Sequence, residues 1–149
     1  MTDFNIQPLV GFGDLKFGQT LKETIAKLGE AEEIDEIEGD DNMNTVILHY
    51  WKNEMSIFFE GIEKSVISCF ETDNQQATLF GVKVFDLDRK SLVGHMHNHG
   101  FTEHEVEKEE GENRVTFEEG LIDFFFHGDE MLAVSWGVLV NANGDIEQI

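Results

Sequence analysis

The 149-residue chain has one cysteine, one proline and one tyrosine, and only 10 basic residues against 31 acidic ones. The lone cysteine, Cys69, excludes an internal disulfide framework. The shortage of positive charge leaves a net −21 at pH 7. A surface of that sign repels nucleic-acid phosphates and anionic lipid headgroups, so neither is expected as a partner. Long apolar runs are missing as well. The chain opens MTDFNIQPLV, without a basic start and apolar core, so neither a signal peptide nor a membrane span is expected, and a cytoplasmic protein follows. No Pro/Ser-rich linker divides the chain; residues 72–78 are merely polar. What is plentiful is phenylalanine, 13 residues within a 40% hydrophobic fraction, enough for a thickly packed core in one domain.

The sequence repeats itself in pattern. At an offset of 68 positions, Phe12-Gly13 and Phe17 meet Phe80-Gly81 and Phe85, and Thr20, Ile25 and Leu28 meet Asp88, Val93 and Met96. At an offset of 67, Ile57-Phe58-Phe59-Glu60-Gly61 meets Phe124-Phe125-Phe126-His127-Gly128, and Ile67-Ser68 meets Val134-Ser135. Residues 1–75 hold 16 acids and 5 bases, residues 76–149 hold 15 and 5. Two fused repeats, about 10–72 and 78–140, are therefore expected around one core.

Each half reads alike. Leu15 and Phe17, or Val82 and Val84, lead into a helix. Thr20 is an N-cap with Glu23 three residues on, Leu21, Ile25 and Leu28 form an apolar stripe, and Gly29 stops the helix. In the second half Asp86 or Asp88 caps, Leu92, Val93 and Met96 face inward, and Gly100 ends it. An acidic stretch follows, residues 30–41 with eight acids and 103–112 with six. Such charge suits a sheet edge that must not recruit other chains. Three strands joined by short turns close each half: 45–51, 54–59 and 65–70, then 114–117, 121–126 and 131–136. Asn143-Gly144 marks a last hairpin.

Alternation assigns faces. Met55, Ile57 and Phe59 point one way with Ile122, Phe124 and Phe126, toward the helices. Ser56, Phe58 and Glu60 point the other way with Asp123, Phe125 and His127. Phe58 and Phe125 thus occupy matching positions on a nominally wet face, where an apolar ring is the informative exception. Trp51 and Trp136 join them as partner-binding candidates, because Trp is favoured at binding hot spots; Tyr50 belongs to the same aromatic set.

Chemical motifs are few. His95, His97 and His99 form H-x-H-x-H, with His104 just beyond; His95 and His99 stand at i, i+4 and make the metal-ligand candidates with His104. The same residues equally suit a solvated last helical turn. Asp40-Asp41-Asn42-Met43-Asn44 opens like a calcium loop, but Thr45 replaces the glycine and Trp51 the closing glutamate, which excludes an ordinary EF-hand. Gly11-Phe12-Gly13 lacks the third glycine of a dinucleotide fingerprint, and neither G-x-S-x-G nor a phosphate loop is present. Cys69, in an apolar strand, reads as a buried inert thiol.

Leu15-Lys16-Phe17-Gly18-Gln19-Thr20, Lys22-Glu23-Thr24-Ile25 and Leu28-Gly29 resemble the opening of the SmpA/OmlA (BamE-like) lipoproteins and of the β-lactamase-inhibitor-protein-like fold. The resemblance covers residues 15–70 and, more faintly, 80–136. It implies a protein-binding scaffold of helices on an antiparallel sheet, tandemly repeated in the inhibitors. The chain departs from both groups in having no lipobox, secretion signal or paired cysteines.

The expected fold is therefore α+β, a tandem repeat of a helix plus a three- to four-stranded antiparallel sheet, helices on one sheet face. The expected function is a small acidic intracellular protein-binding module, of inhibitor or immunity type, that captures a basic partner and needs no cofactor. The alternative is a metal-dependent enzyme or metal-binding protein using His95, His97, His99 and His104. The oligomeric state stays open. Self-repulsion at this net charge generates a prediction: raising salt from about 10 mM to about 0.15 M should raise the melting temperature, because the Debye length shortens. A melting temperature that falls over that range would mean that ordered ion pairs dominate instead.

Overall fold

The alternating stretches assemble, in a computed structural model that describes residues 1–39, 44–62 and 64–147, into one long antiparallel sheet. Its strands come from residues 33–137. β4 (Glu33–Ile37), β5 (Thr45–Tyr50), β6 (Met55–Glu60) and β7 (Val66–Thr72) supply one side. β10 (Glu105–Glu109), β11 (Glu112–Phe117), β12 (Ile122–His127) and β13 (Glu130–Gly137) supply the other. The order is β10-β11-β12-β13-β7-β6-β5-β4, so the two runs are spliced where β13 pairs antiparallel with β7.

A second, five-stranded sheet lies on one face. It contains β1 (Asn5–Gln7), β2 (Gly11–Phe12), β3 (Leu15–Lys16), β8 (Thr78–Leu79) and β9 (Val82–Lys83), in the order β3-β2-β1-β8-β9. Its centre is parallel: β1 pairs with β8 through Ile6 opposite Leu79, which ties the start of the chain to its middle. A small hairpin, β14 (Leu139–Val140) and β15 (Ile146–Glu147), completes the set. Asn143-Gly144 lies in its turn, with Gly144 at φ 84.

Among the described residues, two α-helices accompany these strands. α1 (Leu21–Leu28) has the expected start: the Thr20 hydroxyl accepts from the Glu23 N–H at 3.2 Å, and the Glu23 carboxylate reaches back to the Thr20 N–H. Tyr50 donates its hydroxyl to the Gly29 carbonyl at 2.9 Å and secures the other end. α2 (Arg89–Asn98) begins at Asp88, whose carboxylate accepts from the Ser91 N–H at 2.8 Å, and buries Leu92 and Met96.

This architecture corrects the expected fold class. Among the described residues, fifteen strands in three sheets stand against two α-helices of 8 and 10 residues, so the protein is mostly β and is not a tandem of helix-plus-sheet units. The reason lies in the covering layer. Helices so short cannot cover an eight-stranded sheet, and Ile6, Phe12, Leu15 and Leu79 of the five-stranded sheet fill the space between. The 67- and 68-position matches mark caps and strand positions. They do not mark units with a sheet of their own, because the two runs share one sheet and one apolar cluster. The calcium-like run falls mostly at positions 40–43, outside the described residues.

The acidic stretches form the two edges of the long sheet. Every residue of β4 and β10 is exposed, including Ile34, Ile37 and Val106, so both edges project beyond the core and present charge to any strand that might add there.

Packing concentrates at the splice. Phe70 of β7 and Trp136 of β13 are directly paired, with rings stacked 5.5 Å apart. Phe12 stands edge-on to both, 5.0 Å from Trp136 and 5.8 Å from Phe70. The Trp136 indole N–H donates to the Gly11 carbonyl at 3.0 Å, joining the two sheets by a buried hydrogen bond. Gly11 has no alternative there: a Cβ would lie 2.0 Å from the Leu15 carbonyl oxygen. Trp136→Ala should therefore lose both packing and this bond, costing about 3–5 kcal/mol out of the roughly 5–15 kcal/mol available to a domain. Gly11→Ala should destabilise in the same direction. Urea unfolding measures both, and a Trp136→Ala protein as stable as the parent would show that the layers are held together elsewhere.

Candidate functional site on the open sheet face

One face of the long sheet carries the core, and the other is left to solvent. Strand register sets what the open face displays. A turn at Trp51–Asn53, closed by Glu54 in the left-handed region (φ 54), places Tyr50 opposite Met55 and His49 opposite Ser56. From there a row crosses all eight strands: Glu33, His49, Ser56, Glu71, Ser135, Asp123, Thr116 and Glu105. Every member is polar; in the six inner strands the adjacent residues point into the core.

Beside this row lie two short apolar lines. Ile47 pairs with Phe58 and Phe58 with Cys69; Phe125 pairs with Ala133. Register shifts at Phe58/Phe59 and at Phe125/Phe126 mark the ladder next to each ring. Phe58 and Phe125 are half-buried. The N-terminal strands do not cover them: Phe12 packs on the opposite face with Phe70 and Trp136. Around the rings stand Glu33, Asp35, Glu71, Asp123, Glu105, Glu107, Glu109 and Glu112, by register on the same face. Arg114 lies across from Phe125 but is paired with Glu107.

His49 is the chemical centre of this face. Its Nδ1 lies 2.7 Å from Ser56 Oγ and its Nε2 2.7 Å from Asp35 Oδ2. Trp51, 52% exposed, stacks on the imidazole with ring centres 4.4 Å apart and planes within 10°. His49, Trp51 and Ser56, with Phe58, Glu71, Asp73 and Ala133, line a shallow depression of about 260 Å³. The order Asp35–His49–Ser56 has the outline of a nucleophilic triad, but Glu71 faces Ser56 across the ladder. A carboxylate there opposes the oxyanion that acyl transfer must stabilise, so the geometry does not favour that chemistry.

Burial shifts two groups on this face. The Cys69 thiol is pushed up to about 11, mainly by desolvation; the Ser135 hydroxyl 3.5 Å away pulls the other way, and Glu71, Glu60 and Asp123 add to the rise. A thiol held protonated is a poor nucleophile, in keeping with its expected inertness. Glu71 is also raised, by desolvation and then by Asp73, with His49 opposing.

The other candidates fall in different places. Trp136 is 1% exposed and belongs to the core, so it cannot touch a partner. Tyr50 is buried at 2%. His95 directs Nε2 to the Leu79 carbonyl at 2.7 Å, and His99 directs Nδ1 to the His95 carbonyl at 2.9 Å while stacking on Phe80. Each therefore uses one ring nitrogen to hold α2 in place. His97 and His104 rings are 5.7 Å apart, and His104 stands between a groove of about 500 Å³ shared with Arg89, Lys90 and Lys108 and an acidic one lined by Glu103, Glu105, Glu118 and Glu119. The histidine run does not converge on one point. His49 escaped notice because it is a single histidine in a strand. Glu33 and Asp35 escaped because two acids among 31 carry no signal. Alternation together with the short β5–β6 turn was the available clue.

No helix among the described residues is long and apolar enough to cross a membrane. Compared with protein-family models, with curated proteins and with solved structures, the chain has no match, so function is read from the site's own geometry.

The raised Glu71 carboxyl yields a pH prediction with a definite sign. Its native pKa lies above the ordinary 4.5, so the folded chain holds the proton more tightly than the unfolded chain. Ionised Glu71 therefore costs stability, an effect that sets in as pH rises from the unfolded value through the native one. Glu71→Gln should melt higher than the parent at about pH 7, with the difference closing below about pH 4. Equal melting temperatures at neutral pH would place the carboxylate in ordinary solvent.

Proposed function

We propose that this chain is a small acidic binding module that docks a basic protein on the open face of its long sheet. The observation behind this reading is the combination, on one sheet face, of half-buried Phe58 and Phe125, on either side of the polar row, with a surplus of carboxylates over the few basic partners there, Arg114 with Glu107 and His49 with Asp35. Apolar rings supply contact area, and the acids set the sign of the partner and speed its capture by electrostatic steering. Trp51, exposed at the end of the same face, adds an aromatic anchor of the kind that concentrates binding energy. An inhibitor or immunity-type protein acting on a basic target suits this chemistry, and the resemblance of residues 15–29 to binding scaffolds points the same way.

The experiment is affinity capture with the parent and the Phe58→Ser/Phe125→Ser double variant side by side, followed by titration with the purified captured protein. Burying one ring contributes about 1.5–3 kcal/mol, so losing both should weaken binding by well over about tenfold. The variant should stay folded, because both rings sit outside the core cluster. A basic protein retained by the parent and lost by the variant, with association slowing steeply as salt rises, is the expected result. Equal retention by the two chains, an acidic partner, or unfolding of the variant would end this reading.

A further inference from the structure

Among the described residues, one group brings three metal-ligating side chains together: Glu33, Asp35 and His49, whose donor atoms all lie within 4.8 Å of one another. The sheet register produces this convergence. Glu33 sits directly across from His49, and Asp35, two residues further along β4, projects from the same face. We propose that these residues form a binding site for a divalent transition-metal ion of the zinc class. His49 Nε2 and the carboxylates of Glu33 and Asp35 hold the ion, and water completes its shell.

His49 is built as a ligand. Its side chain is only 12% exposed, and Trp51 fixes the plane of the ring from one side. Nδ1–H can donate to Ser56 Oγ at 2.7 Å; an ion that takes the place of the proton between Nε2 and Asp35 Oδ2 would favour that tautomer and leave the lone pair on Nε2. Such a bond to the second ring nitrogen is what sets the tautomer and aim of a metal-bound histidine. The carboxylates are the adjustable half: Asp35 is 54% exposed at its side chain and Glu33 is exposed. Nε2 and Asp35 Oδ2 are 2.7 Å apart. Bonds of about 2.0–2.2 Å to a tetrahedral ion separate its donors by roughly 3.3–3.5 Å, so Asp35 needs to swing by less than about 1 Å. An imidazole among the ligands selects the zinc class over calcium or magnesium, which take oxygen shells. The site shares Glu33, Asp35 and Trp51 with the proposed docking face, but its test reads metal uptake by the isolated chain, so failure of one reading is distinguishable from failure of the other.

The test is titration of the full chain with Zn²⁺ and with Co²⁺. One ion per chain is expected, with Co²⁺ giving the visible absorption of a nitrogen–oxygen site and quenching Trp51 emission. Trp51→Phe should keep the ion and lose that quenching, since the remaining Trp136 is buried in the core. His49→Ala should abolish binding, and Asp35→Asn, near in shape to the parent, should weaken it at least tenfold even if His49→Ala folds poorly. Ser56→Ala should keep the stoichiometry while lowering affinity about 10- to 100-fold, as removal of a ligand-orienting partner does. His97→Ala/His99→Ala should bind as the parent does. Binding that survives both His49→Ala and Asp35→Asn, binding lost instead in the His97/His99 variant, or a folded parent that takes up neither ion would overturn the assignment.

Discussion

The antiparallel junction of β7 with β13 is the contact on which the rest of the molecule depends. Trp136 and Phe70 face each other across it, Phe12 of the second sheet rests on both rings, and the Trp136 N–H reaches the Gly11 carbonyl. One cluster thereby does two things. It makes a single sheet out of strands that are distant in sequence, and it fastens the five-stranded layer to that sheet. Burial of such large rings is the strongest apolar contribution a chain of this size can concentrate in one place.

Covering one face of the sheet this thoroughly leaves the other uncovered, and the two faces then differ in kind. Inward positions such as Ile57, Phe59, Phe124 and Phe126 are fully buried. Outward positions carry the polar row from Glu33 to Glu105, with Phe58 and Phe125 as half-buried exceptions. This eight-stranded sheet stays open, so its edge strands β4 and β10 carry charge. The same acids that guard the edges surround the aromatic rings. On the β4 side they also place two carboxylates beside His49. Edge protection and the candidate chemistry of this face therefore come from one set of residues.

Much of the local structure was legible beforehand because it depends on neighbours in sequence. Thr20 with Glu23 states a helix start, since the capping bonds close within four residues. The alternation through Met55, Ile57 and Phe59 states a strand with one wet face, and the short turns state antiparallel neighbours. Even the exposure of Phe58 and Phe125 followed from parity alone. The fold class did not follow. The covering layer is made by two- and three-residue strands such as β1, β2 and β8, too short to show any period, and their pairing bridges more than seventy residues. Patterns recurring at 67 and 68 positions suggested helix-plus-sheet units, yet cap and strand chemistry recurs wherever caps and strands do, whatever layer they join.

Composition by itself determined that this protein is acidic, without an internal disulfide bond and rich in phenylalanine, because those properties are sums over the chain and need no geometry. Alternation and capping determined where most strands and both helices lie, because each rests on contacts within a few residues. Only the tertiary structure decided that Trp136 is core rather than surface, that His95 and His99 brace a helix instead of converging, and that His49 meets Asp35 and Ser56. Each of those outcomes depends on which strands become neighbours. Pairing is chosen by the burial of the whole apolar surface at once, so no single stretch of the chain specifies it.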